Sequence, residues 1–316
     1  DIRQHFPGGF VPDGVDYKAE LLSGRVSYVS TSGSTADQVT LFWSQEWWDR
    51  SERASWALNA HLRRVADGEH REAVLASPKC VGPHRPGVTL PVDERTQGRL
   101  LFLNQTVNPA NWRDSDLRRM LAELETFRPA VLEADPFYLA ALAAFAEDRG
   151  ISVYQPEVIT FTYSFPAKVF LNVIRRVFAA PLVSSHGSTE TGYVFMECER
   201  GRMHQNCASC HVDFMPLETR ASGASLGRLL VTPFQHPVQR FVRFDVGDLA
   251  EVAPVQACPC GQGEGLILER IAGRASDATV TRDGKRVTVA DVDVVLAESP
   301  EVRGFQIDQP DAGPLR

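Results

Sequence analysis

Two periods of apolar residues run along this chain. Over Gln45 to Val65, the positions Trp48, Trp56, Leu58, Leu62 and Val65 recur at roughly helical spacing, leaving Arg50, Glu52, Arg53, Arg63 and Arg64 for a wet face. That pattern predicts one helix closed by Gly68. A second helix is predicted over Asp114 to Phe127, where Leu117, Met120, Leu121 and Leu124 form the stripe and Pro129 stops it. Asp135 is placed to cap a third, Ala-rich helix from Phe137 to Glu147, with Pro136 in its first turn and Gly150 after its end. A fourth helix covers Val169 to Phe178. Between them lie short β-prone runs at Val26 to Val29, Ala130 to Leu132, Val158 to Phe161 and Leu182 to Ser184. Strands alternating with helices predict an α/β fold with a mainly parallel sheet, whose ligands sit beyond the carboxyl ends of strands.

Past Gly192 the pattern changes to strands without helices between them: Tyr193 to Met196, Leu229 to Thr232 and Phe241 to Phe244. This is a β-rich lobe, and it holds most of the cysteines. Asp283-Gly284 reads as a hairpin turn between Ala278 to Thr281 and Arg286 to Val289, followed by a short helix from Ala290 to Ala297.

Composition narrows the function classes. With 43% hydrophobic and 23% charged residues among 316, the chain is ordinary for a soluble globular protein. Its longest apolar run, Tyr138 to Phe145, is far short of the roughly 18 residues that cross a bilayer. A net charge of −7 offers no general attraction to nucleic acid or to an anionic membrane, so neither is expected as a partner. Five of the six cysteines fall between Cys198 and Cys260, including a Cys258-Pro259-Cys260 triplet too tight to pair with itself. Without an apolar signal segment, such crowding points to a reducing, cytoplasmic setting and a metal. Asp1 in place of an initiator Met suggests that the gene starts upstream.

Three loops carry candidate chemistry. Thr31-Ser32-Gly33-Ser34-Thr35 offers hydroxyls and flexible backbone N–H groups suited to phosphate oxygens. His186-Gly187-Ser188-Thr189-Glu190-Thr191-Gly192 combines a ring that can stack on a base, hydroxyls for phosphate and a carboxylate for Mg²⁺. In Arg243-Phe244-Asp245-Val246-Gly247-Asp248-Leu249, Asp248 follows a glycine turn, where its two oxygens can accept both hydroxyls of a ribose. Each loop alone is also what an ordinary turn looks like.

Together, and in this order with Gly273-Arg274, these segments resemble the acyl-adenylate-forming superfamily over about residues 26 to 305. The phenylacetate-CoA ligase-like branch is the most similar, through Arg128-Pro129-Ala130-Val131-Leu132, Asp135-Pro136-Phe137-Tyr138-Leu139, Met196-Glu197-Cys198-Glu199 and Cys258-Pro259-Cys260-Gly261. The resemblance implies a large N-terminal adenylating domain (1–274, with a zinc-stapled β-rich part at about 193–265) and the start of a small mobile C-terminal domain (275–316). It also implies ATP-dependent conversion of a carboxylic acid to acyl-AMP and pyrophosphate, then transfer to a thiol, coenzyme A first and a carrier protein or an amine as alternatives. Carried over, Thr31 to Thr35 hold the β- and γ-phosphates, His186 with Gly187 lies on adenine, and Ser164 stands in the adenine-side segment. Thr189 contacts the α-phosphate, Glu190 ligates Mg²⁺, Asp248 takes the ribose, Arg274 lies on the ribose-phosphate side, and Ser276 stands at the domain hinge.

For the cysteines, spacing favours Cys207 and Cys210 with Cys258 and Cys260, whereas the resemblance favours Cys198, His204, Cys258 and Cys260, with Cys210 as the substitute ligand; either set makes a closed structural zinc site. Cys80 reads as a small core residue. The acid is expected to be aryl or apolar, from Phe161, Tyr163, Phe165 and the helix beginning at Phe137. The segment Tyr163-Ser164-Phe165 lacks the acid common in the family, and Ser276 takes the hinge position. Two departures favour a rival, a degenerate nucleotide-binding homologue: Ala36-Asp37-Gln38 brings a carboxylate to the phosphate loop, and the late lysine of such enzymes has no counterpart here; the retained Glu190, Asp248 and Arg274 oppose it.

Overall fold

The computed structural model describes residues 2–30, 39–282 and 284–307. The predicted phosphate-loop residues Thr31, Ser32, Gly33, Ser34 and Thr35, with Ala36-Asp37-Gln38, lie outside the described residues, as does Asp283. The chain divides into two compact units: Asp1–Gly68 with Val183–Arg270, and Glu69–Leu182 with Ile271–Arg316.

The second unit holds the parallel sheet. Its strands are Glu72–Leu75, Leu100–Phe102, Val131–Ala134 and Val158–Phe161, with Thr96–Gln97 antiparallel at the edge. The registers Glu72↔Leu100, Glu72↔Val131 and Val131↔Val158 align their starts. One face packs Ala73, Leu75, Leu101, Leu132 and Ile159 against the helices Asp114–Phe127, Pro136–Asp148 and Lys168–Arg175, in one continuous apolar cluster. The helix starts follow local chemistry. Asp116 accepts the backbone N–H of Arg113 at 3.0 Å, and Asp135 accepts that of Phe137 at 2.9 Å. Arg128, at φ 50°, turns the chain out of the helix just before Pro129.

The strand Glu72–Leu75 was not foreseen because it opens on a charged residue. Glu72 is nevertheless buried, held at 2.8 Å by both His70 Nε2 and Arg99 Nε. Near the end of the chain, Thr279–Val280 pairs with Arg286–Val287, and the helix Val289–Leu296 starts at a Thr288–Asp291 capping box. Buried Asp293 of that helix caps Lys168–Arg175, accepting the N–H groups of Lys168 at 2.7 Å and Val169 at 3.2 Å.

The strand pairings within the first unit are antiparallel among the described residues. Leu182–Ser188 pairs with Gly192–Glu197, which pairs with Met203–Gln205, which pairs with Ile267–Arg274. Cys210–Thr219, Ser225–Pro233 and Phe244–Val252 form a second antiparallel run. Ser27–Ser30 and Thr40–Trp43 make a separate two-stranded ribbon.

Two expectations are corrected in this unit. The single helix over Gln45 to Val65 is two, Gln45–Trp56 and Ala60–Ala66. Asn59 starts the second by accepting the N–H groups of His61 (2.9 Å) and Leu62 (3.2 Å), and a side-chain cap of this kind outcompetes helix continuation. The strand expected at Phe241 to Phe244 instead begins at Phe244, because Arg243 takes φ 52°. In the second unit, Cys80 is exposed rather than a core residue.

Candidate nucleotide and metal sites

The glycine- and hydroxyl-rich segment 186–192 is a hairpin, not a loop following a short strand. His186, Gly187 and Ser188 are the last residues of the strand Leu182–Ser188, and only Thr189, Glu190 and Thr191 form the turn. Ser188 and Thr191 lie 3.0 Å apart through their hydroxyls, and the Thr191 N–H donates to the Ser188 carbonyl at 3.1 Å. The two strands close so tightly that a Cβ on Gly187 would come within 2.2 Å of the Gly192 carbonyl oxygen. This closeness fixes Thr189 and Glu190, both half-buried, at the hairpin tip.

Asp248 reaches the same place by a backbone irregularity. The strand Phe244–Val252 slips register against Ser225–Pro233: Arg228 faces Leu249 and Leu230 faces Asp245, so Val246, Gly247 and Asp248 stand opposite Leu229 alone. Gly247 takes φ 81° to make this bulge, and its N–H donates to Asp245 at 3.0 Å. Asp248 is therefore a bulge residue within a strand rather than a residue after a turn. Its carboxylate lies 3.6 Å from His186 Nε2, and both side chains are 14% exposed. The His186 ring also faces Phe195, with centroids 6.3 Å apart.

Ser164 and Arg274 belong to the other unit. Ser164 is exposed in the turn after Val158–Phe161, and its hydroxyl bonds to Asp135, whose own pKa is raised by burial. Arg274 is exposed at the end of its strand, and Ser276 donates to Asp277 at 2.9 Å just beyond it.

Four of the sulfur and nitrogen ligands converge. The ligand atoms of Cys198, His204, Cys258 and Cys260 all lie within 4.8 Å of one another. Cys198 Sγ is 3.7 Å from Cys258 Sγ, and Cys260 Sγ is 3.3 Å from His204 Nε2. Bond lengths of about 2.3 Å for Zn–S give a tetrahedral S···S edge of about 3.8 Å, whereas a disulfide needs about 2.0 Å. The spacing is that of co-ligands, not of a bond. Burial pushes the Cys198 thiol up to about 12, so an ionised sulfur there needs a cation beside it. His204 is buried, burial lowers its pKa, and its Nδ1 is among the described side-chain atoms that are buried without a hydrogen-bond partner. Cys210 is not part of the group; its thiol faces the Asn206 carbonyl at 3.6 Å. Cys207 and Cys210 line a separate groove of about 400 Å³ with His211 and Phe234.

Residues that sequence reasoning passed over hold this cluster in place. Asn59 Nδ2 donates to the Glu197 carbonyl at 2.9 Å and the Glu197 carboxylate accepts the Ser184 N–H at 2.8 Å, fixing the residue before Cys198. Gln205, next to His204, accepts the Leu266 N–H at 3.0 Å and donates to the Cys210 carbonyl at 3.0 Å. A buried Gln or Asn beside a candidate ligand is a weak signal in sequence, because most such residues are exposed.

No protein-family model matches the chain, and no curated protein does. Solved structures match it widely. A 2-hydroxyisobutyryl-CoA ligase in an open conformation, in complex with 2-HIB-AMP and CoA, aligns over 93% of this chain and 66% of its own, at TM-score 0.62 and 15% identity. The same ligase in its postadenylation state aligns over 87% and 57%, at TM-score 0.61 and 16% identity. An anthranilate CoA ligase in complex with anthranoyl-AMP aligns over 88% and 52%, at TM-score 0.54 and 13% identity, and an amide bond synthetase from Marinactinospora thermotolerans over 91% and 56%, at TM-score 0.51 and 15% identity. The chain thus spans between about half and two thirds of the length of these structures. With its parallel α/β unit, its antiparallel unit and these alignments, the chain has the fold of these CoA ligases and of the amide bond synthetase.

Proposed function

We propose that this chain is the major part of an ATP-dependent ligase of the phenylacetate-CoA ligase type, which converts a carboxylic acid to acyl-AMP with release of pyrophosphate and passes the acyl group to a thiol. The observation that carries this reading is the meeting of His186 and Asp248 at 3.6 Å beside the Thr189-Glu190 hairpin tip. Adenine and ribose are adjacent in a nucleotide, so a ring that stacks on one and a carboxylate that accepts the hydroxyls of the other belong side by side. In this proposal Thr189 donates to the α-phosphate and Glu190 is a ligand for a divalent cation. Mg²⁺, when bound, neutralises the charge that builds on the phosphates. In-line attack by a carboxylate on phosphorus needs alignment and charge compensation rather than a covalent nucleophile, and a tightly closed hairpin provides the alignment. Thr31 to Thr35 complete the phosphate site in this proposal, with Ser164 and Arg274 on the nucleotide and Ser276 at the hinge.

Coenzyme A is the proposed acceptor and an aryl or apolar acid the proposed substrate, the latter from Phe161, Tyr163 and Phe165. Cys198, His204, Cys258 and Cys260 form a closed four-ligand set for a structural zinc ion, with no open position for chemistry. The test is carboxylate-dependent exchange of labelled pyrophosphate into ATP by the complete gene product, across a panel of aryl and aliphatic acids. Exchange with any acid supports adenylation, and ATP binding without exchange turns the reading to a degenerate homologue. Glu190→Gln is expected to lower exchange by at least about 100-fold with an unchanged circular dichroism spectrum, the scale of losing one transition-state charge partner. Unaltered exchange in this variant removes Glu190 from the metal site.

A further inference from the structure

The parallel unit carries a half-buried carboxyl group to which nothing above gives a role. Glu133 lies in the strand Val131–Ala134, between Glu72–Leu75 and Val158–Phe161, with Val74 and Thr160 as its register partners. It points away from the helix-covered face, which Leu132 and Ala134 occupy on either side of it. Its carboxyl group accepts hydrogen bonds from the side chains of Tyr163 and Thr162, in the turn that leaves the next strand. In that turn Tyr163 takes φ 78°, a left-handed conformation that a bulky aromatic residue adopts only when its surroundings impose it. The turn is tied at two further points. The Thr162 N–H donates to the Ala134 carbonyl at 3.2 Å, and the Ser164 hydroxyl bonds to Asp135. Two carboxyl groups, one on the strand and one just past its end at the helix cap, therefore grip three consecutive residues of the turn.

We propose that Glu133 is a positioning residue for the nucleotide-side turn: by accepting the hydroxyls of Thr162 and Tyr163, it holds Tyr163 in its left-handed conformation and so sets the direction in which Ser164 faces a nucleotide. The proposal rests on the ATP-dependent reading above. Strain at a strand's carboxyl end, held by a group that is itself costly to bury, is how a fold keeps a binding loop in one geometry before the ligand arrives.

Burial pushes the Glu133 carboxyl up to about 7, with Glu72 on the neighbouring strand adding to the rise. The charged and titratable groups around it are Glu72, itself bound by His70 and Arg99, and Tyr163 from the turn. The ionised form is the stronger acceptor, so the grip tightens as pH rises through neutrality.

The experiment compares wild type, Glu133→Gln and Tyr163→Phe in pyrophosphate exchange at pH 6 and pH 8, together with hydrogen exchange of the Ser164 amide, which donates to the Thr162 carbonyl at 3.1 Å. Glu133→Gln is expected to raise KM for ATP about tenfold at pH 8 with kcat within about threefold, and Tyr163→Phe to raise it about threefold, as expected for loss of one charge-assisted acceptor or one of its donors. Wild type shows a lower KM for ATP at pH 8 than at pH 6, and Glu133→Gln removes that difference. The Ser164 amide exchanges faster in both variants. A KM within twofold of wild type in both variants, or a fall in kcat alone with the pH dependence intact, overturns the proposal. A wild type that exchanges no pyrophosphate sinks the ligase reading instead, and unchanged Ser164 protection in the variants then overturns the positioning role by itself.

Discussion

The two units solve the same problem with different materials. In the parallel unit, strands buried on both faces are covered by helices through one apolar cluster, and the groups with chemical potential, Glu133, Asp135 and Ser164, gather where strands end. In the antiparallel unit, chemistry arises where strands pair. His186 and Asp248 meet across a bulge, and Cys198, just past the end of one strand, and His204, on the strand paired with it, stand with Cys258 and Cys260. A parallel sheet delivers its ligands by topology, because every strand points the same way. An antiparallel sheet has to deliver them by register, because neighbouring side chains come from distant parts of the chain.

This difference has measurable consequences. The largest is expected in the antiparallel unit: Cys258→Ser should bring zinc content from about one ion per chain to near zero and lower Tm by about 10 °C or more, since metal binding at a structural site is itself folding free energy. Elemental analysis and thermal unfolding check it. Retention of zinc with an unchanged Tm breaks the comparison, because the antiparallel unit is then held by packing as well. Leu132→Ala, fully buried in the apolar cluster, is expected to cost about 2–5 kcal/mol in denaturant unfolding while leaving zinc content as in wild type. Loss of zinc in that variant shows that the two units depend on one another.

The smallest effect is the most specific. Glu133 has a folded-state pKa of about 7, raised from 4.5, so its contribution to stability is complete below about pH 4.5 and lost as pH rises through 7. Replacing it with Gln removes that loss. Glu133→Gln is expected to melt a few degrees above wild type at pH 8 and to match it near pH 4.5, measured by scanning calorimetry at both values. Destabilisation of the variant at pH 8 contradicts a carboxylate held at a desolvation cost. A gain in stability paired with a weaker grip on ATP sharpens the contrast between a unit held by its core and a site held at the core's expense.

The legibility of the chain follows the same division. The helix Asp114–Phe127 and the strand Val158–Phe161 were readable to the residue, because a stripe at helical spacing and a short apolar run between turn residues have few other interpretations. Where a polar residue sat inside an element, reading failed: Glu72 hid a buried strand, and Asn59 divided a helix that the apolar spacing carried straight through. The long strands Cys210–Thr219 and Phe244–Val252 were missed or misplaced because half of their residues are turned outward, and bulges break their alternation.

What the sequence determined by itself is the inventory and its order: three donor-rich segments, a cluster of thiols with two histidines, and an α/β pattern followed by a β-rich one. It left two sets of metal ligands open. Only the tertiary structure decided that Cys198 and His204, not Cys207 and Cys210, stand with Cys258 and Cys260, that His186 meets Asp248, and that Glu133 meets Tyr163. Spacing along a chain constrains only residues within a turn or two of each other. Which distant residues become neighbours is set by strand register, and register is chosen by burial summed over whole strands rather than by any residue that later does chemistry.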